Sequence, residues 1–401
     1  MSTLFLAHRI PFPPDRGDKI RSWQLLKTLA GRGTVHLACF ADDEADAANL
    51  AGLEAALGDR LGEVHVEPRR TGKAMAGARA LAAAKPVSLT LFDSPRLRGF
   101  VEDMLAKGGI ETVFAFSGQM AQFVPAGVAA RFIMDFGDVD SAKFASYADE
   151  ASGPMRWLYR REAARLFAFE RAVAARADVT TFVSEAEAKL FRDATGLPNI
   201  RALSNGIDFA HFDPAADFVP LSAGERGEGP LLLFTGQMDY PPNIDAVRWF
   251  AREVLPRVPE ARFVIAGRAP TADVTVLAGE RVIVTGAVAD MRSWLAAADV
   301  IVAPLRIARG IQNKVLEAMA MARPVVASPA AFEGIEAEAG RDLVVADGAG
   351  AMAAEIRKLL ADLVQAEAVG RAARQLVVDS YSWESRLAPL DALLAPARQA
   401  A

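Results

Sequence analysis

The sequence predicts two α/β domains, each a parallel sheet covered by helices, and three observations predict it. At 401 residues the chain exceeds what one hydrophobic core supports. Short β-rich apolar runs alternate with longer amphipathic stretches, and the series restarts after residue 230. Between the two series, Asp213–Pro230 is rich in proline, glycine and charge and lacks periodicity. The expected division is therefore residues 1–213, a linker at 214–230, a second domain at 231–379 and a final segment at 380–401.

In the first half the strands are expected at Thr3–Ala7, Val35–Phe40, Glu63–Val66, Thr112–Phe116, Arg131–Asp135 and Val179–Ser184. Helices are expected at Asp18–Ala30, Glu44–Ala56 and Ser94–Ala106. In the second half the strands are Leu231–Thr235, Arg262–Ala266, Val282–Thr285, Val300–Pro304, Pro324–Ala327 and Leu343–Val345. The helices there are Asn243–Val254, Asp290–Ala297, Gln312–Met321 and Gly350–Leu360. No period of 20–50 residues repeats, so a solenoid is not expected.

Composition narrows the function classes. The chain is 52% apolar and 24% charged, normal for a globular α/β protein. One cysteine, Cys39, leaves no internal disulfide and fits a reducing compartment. The opening MSTLFLAHRI has no cationic segment before its apolar run and reads as a first strand, not a signal peptide. Thr112–Ala130 carries no charge, but Ser117, Gly118, Gln119, Gln122 and Pro125 favour strand, turn and helix over a membrane span. Net charge is −5, and the chain to Asp213 has 26 Lys+Arg against 27 Asp+Glu, the remainder 19 against 23. Neither part has the basic excess of a nucleic-acid binder.

Ligands of such sheets bind at the carboxyl ends of strands, at topological switch points, and two such domains imply a cleft between them. The most informative strand end is in Val300–Pro329, VIVAPLRIARGIQNKVLEAMAMARPVVASP. A buried strand leads into Arg306, Arg309 and Gly310, then through Ile311, Gln312 and Asn313 into a helix carrying Lys314 and Glu317. Gly310 permits close backbone approach, and the helix start offers free N–H groups and a positive dipole end. Three cations beside it make an anion site suited to a diphosphate. Glu317, placed about two turns into the helix, can accept from a ribose diol. The competing reading is solvated loop arginines and a surface glutamate.

The stretch GIQNKVLEAMAMARPVV (310–326) resembles the donor-binding helix of retaining glycosyltransferases of family 4. The resemblance extends over most of the chain: HRIPFPPDRGDKIRSWQLLKTLA (8–30), FTGQMDYPPNIDAVRWF (234–250), RFVIAGR (262–268) and VIVTGAVADMRSWLAAADVIVAPL (282–305) follow in the family's order. The wording is most similar to the sugar transferases associated with PEP-CTERM/exosortase exopolysaccharide systems. The resemblance implies the GT-B fold, two Rossmann-like domains facing a cleft, with the C-terminal helix crossing back to the first. It implies metal-independent transfer of a sugar, with retention, from a nucleotide-sugar to a glycan or polyprenyl-linked acceptor. It also implies exopolysaccharide biosynthesis in the cytoplasm, with no cofactor beyond the donor.

Departures from the family are equally informative. Many members carry two glutamates eight positions apart here, but position 309 is Arg309. The family's Arg and Lys after the opening strand of the second domain are also missing, since Gly236 is followed by Gln237, Met238 and Asp239. Arg268, Arg309 and Lys314 are expected to supply the phosphate charge, with Gly236 close to the nucleotide.

In the first domain, Gly17 is expected against donor phosphates, with Asp18 as helix N-cap. Arg9, Arg16 and Arg21 surround the same loop and are assigned to the acceptor side, or face water. Asp135, Asp138 and Asp140 cluster at a strand end where many relatives have a histidine; none of the four histidines lies there. Asp135 and Asp138 are the catalytic candidates, and helix capping by one Asp is the alternative. No second cluster with ligand spacing accompanies them, so no metal is expected. Residues 155–176 hold six arginines among Trp157, Leu158, Leu166, Phe167 and Phe169. They form either a basic amphipathic helix on the inner face of the cytoplasmic membrane or a helix packed on its own domain.

Two other functions compete. A sugar-nucleotide epimerase or hydrolase would use the same fold, and a catalytically inactive nucleotide-binding partner would explain Arg309. A dinucleotide oxidoreductase is disfavoured, because Gly31-Arg32-Gly33 follows a helix and lacks the third glycine.

Overall fold

A computed structural model describes residues 1–69, 72–308 and 311–395. The chain divides into two compact units: Met1–Ser204 together with the chain from Leu387 onward, and Asn205–Arg386.

The first unit is built on β1 (Ser2–Ala7), β2 (Thr34–Ala41), β3 (Leu61–Pro68), β4 (Thr112–Phe116), β5 (Arg131–Gly137), β6 (Val179–Phe182) and β7 (Ile200–Ala202). They pair in parallel in the order β3-β2-β1-β4-β5-β6-β7. Helices cover both faces, so the central strands are buried without alternation: Leu4, Phe5 and Leu6 of β1 are all inaccessible. Phe5 stacks on Phe114 of the neighbouring strand at 5.5 Å. The uncharged stretch after β4 winds into a 3₁₀ turn at Gly118–Phe123. Among the described residues no helix is long and apolar enough to cross a membrane.

Local chemistry fixes several element ends. Ser94 accepts from Leu97 N to cap Pro95–Ala106, and Ser184 does the same for Glu185–Thr195. Gly196, at φ +71, closes the latter in the left-handed conformation glycine adopts freely. The helix expected over Glu44–Ala56 is two pieces, Glu44–Ala48 and Leu50–Leu57, with Asn49 between them. Helix Gly17–Ala30 starts one residue earlier than expected, with Arg16 rather than Asp18 at the N-cap. β7 is three residues long and carries an exposed arginine, too little for an apolar pattern to reveal.

The second unit repeats the plan with β8 (Leu231–Thr235), β9 (Arg262–Ala266), β10 (Val282–Gly286), β11 (Val300–Ala303), β12 (Val325–Ala327) and β13 (Val344–Val345). All pairs are parallel, in the order β10-β9-β8-β11-β12-β13. Counted from its own first strand this is 3-2-1-4-5-6, the doubly wound Rossmann order, whose switch point lies between β8 and β11. The helix expected to run to Val254 is regular over Pro241–Trp249 and ends in a π turn at Phe250–Val254. The Asp213–Pro230 segment contains a helical turn, Ala223–Arg226, with a capping box between Ser222 and Glu225. Arg374 holds its start through Asp213 at 2.8 Å.

The end of the chain returns to the first unit. Helix Leu390–Leu394 meets β5, where Arg131 Nε donates to Leu393 O at 2.7 Å and Arg32 pairs with Asp391.

Candidate functional site

The carboxyl end of β8, one side of the switch point of the second sheet, is built by close backbone packing against the loop after β9. A Cβ on Gly267, at φ +149, would stand 1.7 Å from Gly236 O, so the loops leaving β8 and β9 can touch only because glycine sits there. Gly236 N donates to Ala266 O and Met238 N to Arg268 O, extending the β8–β9 ladder beyond the strands. A Cβ on Gly236 would fall 2.8 Å from Asn243 Nδ2 and 3.1 Å from Lys314 Nζ. The glycine thus leaves room for those two side chains.

Asn243, in the first turn of Pro241–Trp249, joins the two halves of the site. Its Nδ2 donates to Gln237 O at 2.8 Å, and its Oδ1 accepts from Lys314 Nζ at 2.5 Å. The same ammonium stands 4.2 Å from the ring centre of Phe234 in β8. Sequence reasoning passed over Asn243, although an amide three residues into a helix after a switch-point strand is a usable signal.

Lys314 lies in the first turn of helix Asn313–Ala320, whose Gln312 cap position makes no side-chain cap hydrogen bond. Glu317 lies one turn further on the same face, closer to the helix start than the two turns expected. Burial pushes the Lys314 ammonium down to about 7 and the Glu317 carboxyl up to about 7, each opposed by the other's charge. Asn313 Oδ1 is buried without a hydrogen-bond partner. Ile311 packs against the core, and Gln312 O accepts from Val315 N. A desolvated cation at an uncapped helix start is suited to an anionic ligand.

The other predicted donor residues are placed differently. Arg306 is half-exposed and makes a bidentate pair with Asp245 of Pro241–Trp249, with Nε 2.9 Å from Oδ2. Its guanidinium is therefore committed within the protein. Arg268 is exposed just past β9. Arg309 and Gly310 lie outside the described residues.

In the first unit, Asp135 is wholly buried and both its oxygens are taken. Arg21 donates through Nε at 3.1 Å and Nη2 at 2.6 Å, and Thr181 Oγ1 donates at 2.8 Å. This holds Asp135 in the core rather than leaving it for substrate, and Arg21, expected on the acceptor side, is buried with it. Asp138 carries its side chain at the surface, yet the surrounding protein desolvates it enough to raise its pKa, opposed by Lys143 and Arg21. Burial raises Asp140 to about 6 and Glu170 to about 7.

Neither Asp135 nor Asp138 caps the helix that follows. Glu187 accepts from Val139 N at 2.7 Å, and Glu170 accepts from Ser141 N at 3.1 Å and Ser141 Oγ at 2.5 Å. Among the described residues no group of three His, Cys, Asp or Glu side chains could hold a metal ion.

Around Gly17 the side chains form a charge cluster. Arg9 reaches Asp42 at 2.8 Å and Asp18 at 2.7 Å. Arg16 approaches Asp18 at 3.0 Å and Asp42 at 3.3 Å, Arg69 approaches Asp42 at 3.2 Å, and His8 Nε2 lies 3.1 Å from Asp18. Against partial burial, the hydrogen bond with His8 at Asp18 and that from Arg9 at Asp42, with the neighbouring guanidiniums, hold both carboxyls below the usual range.

Helix Gly153–Arg176 answers in two ways. Leu166 is buried, and Phe167 and Phe169 pack on the core, as for a helix laid on its own domain. Arg161 and Arg176 donate to backbone carbonyls. Its first turns differ, for Met155, Arg156, Trp157 and Arg160 are exposed, Trp157 by 60%.

Residues 229–362, which contain the switch-point site, match the model of the family described as glycosyl transferases group 1. Solved structures align over nearly the full length. A sucrose-phosphate synthase from Thermosynechococcus elongatus superposes with a TM-score of 0.68 at 18% identity, covering 98% of each chain. HepE from Anabaena, solved with UDP, gives 0.67 at 16% identity over 98% of this chain and 99% of that one. WaaG, a glycosyltransferase involved in lipopolysaccharide biosynthesis, gives 0.68 at 15% identity over 99% and 100%. No curated protein sequence matches the chain. The fold is that of these structures: GT-B, with two Rossmann-like parallel sheets of seven and six strands.

Proposed function

We propose that the protein transfers a sugar from a nucleotide-sugar donor to an acceptor. The observation that carries this reading is the Lys314 ammonium, desolvated and fixed by Asn243 at the switch point of a sheet within the matched family segment. As the sugar leaves, negative charge grows on the diphosphate. An ammonium and a helix start already in place stabilise that charge without reorganisation. Glu317, one turn along the same face, accepts from the ribose hydroxyls. HepE has been solved with UDP-glucose, so uridine diphosphate sugars are the first donors to test.

Retention at the anomeric carbon, independence of metal and a role in exopolysaccharide biosynthesis rest on the resemblance to family 4 and to the PEP-CTERM-associated transferases. A glycan or polyprenyl-linked acceptor rests on the same ground. Peripheral attachment to the inner face of the cytoplasmic membrane rests on exposed Met155, Arg156, Trp157 and Arg160. Liposome co-sedimentation with no dependence on anionic lipid would remove the attachment.

Arg309, standing where many family members have a glutamate, favours a second reading: an inactive nucleotide-binding partner of a polysaccharide assembly complex. One assay series separates these readings and the hydrolase or epimerase alternative. A thermal-shift panel of UDP-, GDP-, ADP- and dTDP-sugars finds the donor, because a ligand specific for the native state raises Tm. Turnover only with an acceptor supports transfer; turnover of donor alone indicates a hydrolase or epimerase. Binding with no turnover on any acceptor supports the inactive partner.

A further inference from the structure

We propose that the carboxyl edge of β1, β2 and β3 binds a phosphate group, the anionic end of the acceptor. This deepens the sugar-transfer reading and rests on it for the word acceptor; the phosphate site itself stands on the geometry of the first unit.

Three adjacent parallel strands each hand a charged residue to one place. His8 and Arg9 follow β1, Asp42 follows β2, and Arg69 follows β3, while Arg16 arrives at the start of Gly17–Ala30. The signal was present in the sequence as the first residue past each strand, but Asp42 and Arg69 become partners only when the strand order is known. The groups do not balance. Three guanidiniums face the two carboxylates Asp18 and Asp42, an excess of one positive charge; burial lowers the pKa of His8, which adds no further charge near neutral pH. Lys19 and Asp46 form a separate, buried pair at 2.6 Å and do not alter the count.

The three arginines are unequally committed. Arg9 makes two short hydrogen bonds, one to each carboxylate. Arg16 Nε and Asp42 Oδ1 are buried without a hydrogen bond, although Asp18 and Arg69 stand 3.0 and 3.2 Å from them. Those two contacts are ion pairs by distance and lack the alignment of a hydrogen bond. Arg16 is thus held by one long hydrogen bond, Nη2 to Asp42 Oδ2 at 3.3 Å, and by its charge contact with Asp18, while Arg69 is held near Asp42 by charge; both can turn to a better acceptor. A tetrahedral phosphate oxyanion, with oxygens on every side, is such an acceptor for planar guanidiniums.

Access and floor agree with this use. The Arg16 and Arg69 side chains are each 30% exposed, enough for a ligand to reach yet too little for full hydration. The helix starting at Gly17 has no side-chain cap. A Cβ at Gly17 would meet nothing within 4 Å, and Gly17 is not among the positive-φ glycines, so neither packing nor backbone strain demands glycine. Open space over an uncapped helix start, ringed by cations, is where a phosphate oxygen fits. Arg69 also lies 5.7 Å from the centre of the Phe92 ring, which braces the far side.

The alternative is a clamp that only ties the strand ends together, and the two predict opposite results. The full chain carrying Lys314→Ala, which removes the donor-site ammonium, is titrated with inorganic phosphate at constant ionic strength and followed by 31P NMR line width. Saturable binding is expected, and adding Arg16→Gln and Arg69→Gln weakens it at least tenfold while thermal unfolding confirms a folded chain. Absence of saturable binding, or binding unchanged by the two substitutions, overturns the proposal. Asp42→Asn sharpens the test, since releasing the internal rival should tighten phosphate binding, whereas a clamp would lose thermal stability with phosphate binding unmoved. Competition then identifies the source. Displacement by a soluble sugar phosphate assigns a free acceptor, and displacement by vesicles containing polyprenyl diphosphate assigns a lipid-linked one. Displacement by neither overturns the acceptor assignment. Nucleotide binding by the unsubstituted chain is measured separately, so failure of the donor reading and failure of this one remain distinct.

Discussion

The two sheets share the order 3-2-1-4-5-6, the first adding one strand, yet the end of β5 in the first and the switch point of the second are finished in opposite ways. In the first unit the buried carboxylate at the end of β5 is saturated: Asp135 takes two bonds from Arg21 and one from Thr181. In the second, Lys314 is desolvated with Asn243, a neutral amide, as its hydrogen-bond partner, and Glu317 stands one turn away with its pKa raised. One topology supports both a finished ion pair and an unfinished one. The difference teaches that strand order locates a site but electrostatic completion decides whether it is structure or chemistry. A saturated pair contributes rigidity, whereas an under-compensated cation is an invitation to an anion.

The contrast breaks first at Arg21. Arg21→Ala leaves Asp135 buried and uncompensated, which costs about 3–5 kcal/mol of stability. Urea unfolding checks it, and a loss below about 1 kcal/mol would show that the pair is not what completes this sheet edge. Lys314→Ala should act on binding instead. Loss of a charge-assisted hydrogen bond worth about 1.5–3 kcal/mol weakens nucleotide-sugar affinity by roughly ten- to 150-fold by calorimetry, with little change in unfolding.

pH sharpens the comparison further. Burial holds Lys314 near 7, below its ordinary value, so the ammonium is lost as pH rises through that range, while Glu317 gains negative charge in the same window. Both changes oppose a diphosphate. Affinity should therefore fall as pH rises from 6 to 8.5, and Lys314→Ala should flatten the Lys314 part of the profile. An affinity that rises with pH in the unsubstituted chain would contradict the assignment.

The smallest expected effect is at Arg306. Its pair with Asp245 is half-exposed, so Arg306→Ala changes stability by less than about 1 kcal/mol and leaves donor affinity nearly unchanged. A tenfold loss of donor affinity would return Arg306 to the phosphate.

How much of this the sequence disclosed follows from what each signal depends on. The parallel strands were legible because helices bury both faces, so β1, β4 and β8 read as unbroken apolar runs. The helix expected at Ser94–Ala106 was legible nearly to its ends, because the cap that starts it, Ser94, is local to it. Lys314 was visible as a candidate from its place after a buried strand, four residues past a glycine. Pairings across the sheet were not. Nothing local in Asp135 announces Arg21, 114 residues earlier, and nothing in Arg306 announces Asp245, 61 residues away. The N-cap expectation for Asp18 failed for the same reason, since Arg9, Arg16 and His8 claim its oxygens.

The most direct test is a crystal structure of the chain with its nucleotide-sugar bound. The account predicts diphosphate oxygens within hydrogen-bond distance of Lys314 Nζ and of the backbone N–H groups opening Asn313–Ala320, with the ribose hydroxyls on Glu317. A nucleotide seated elsewhere, with Lys314 still holding only Asn243, would contradict it.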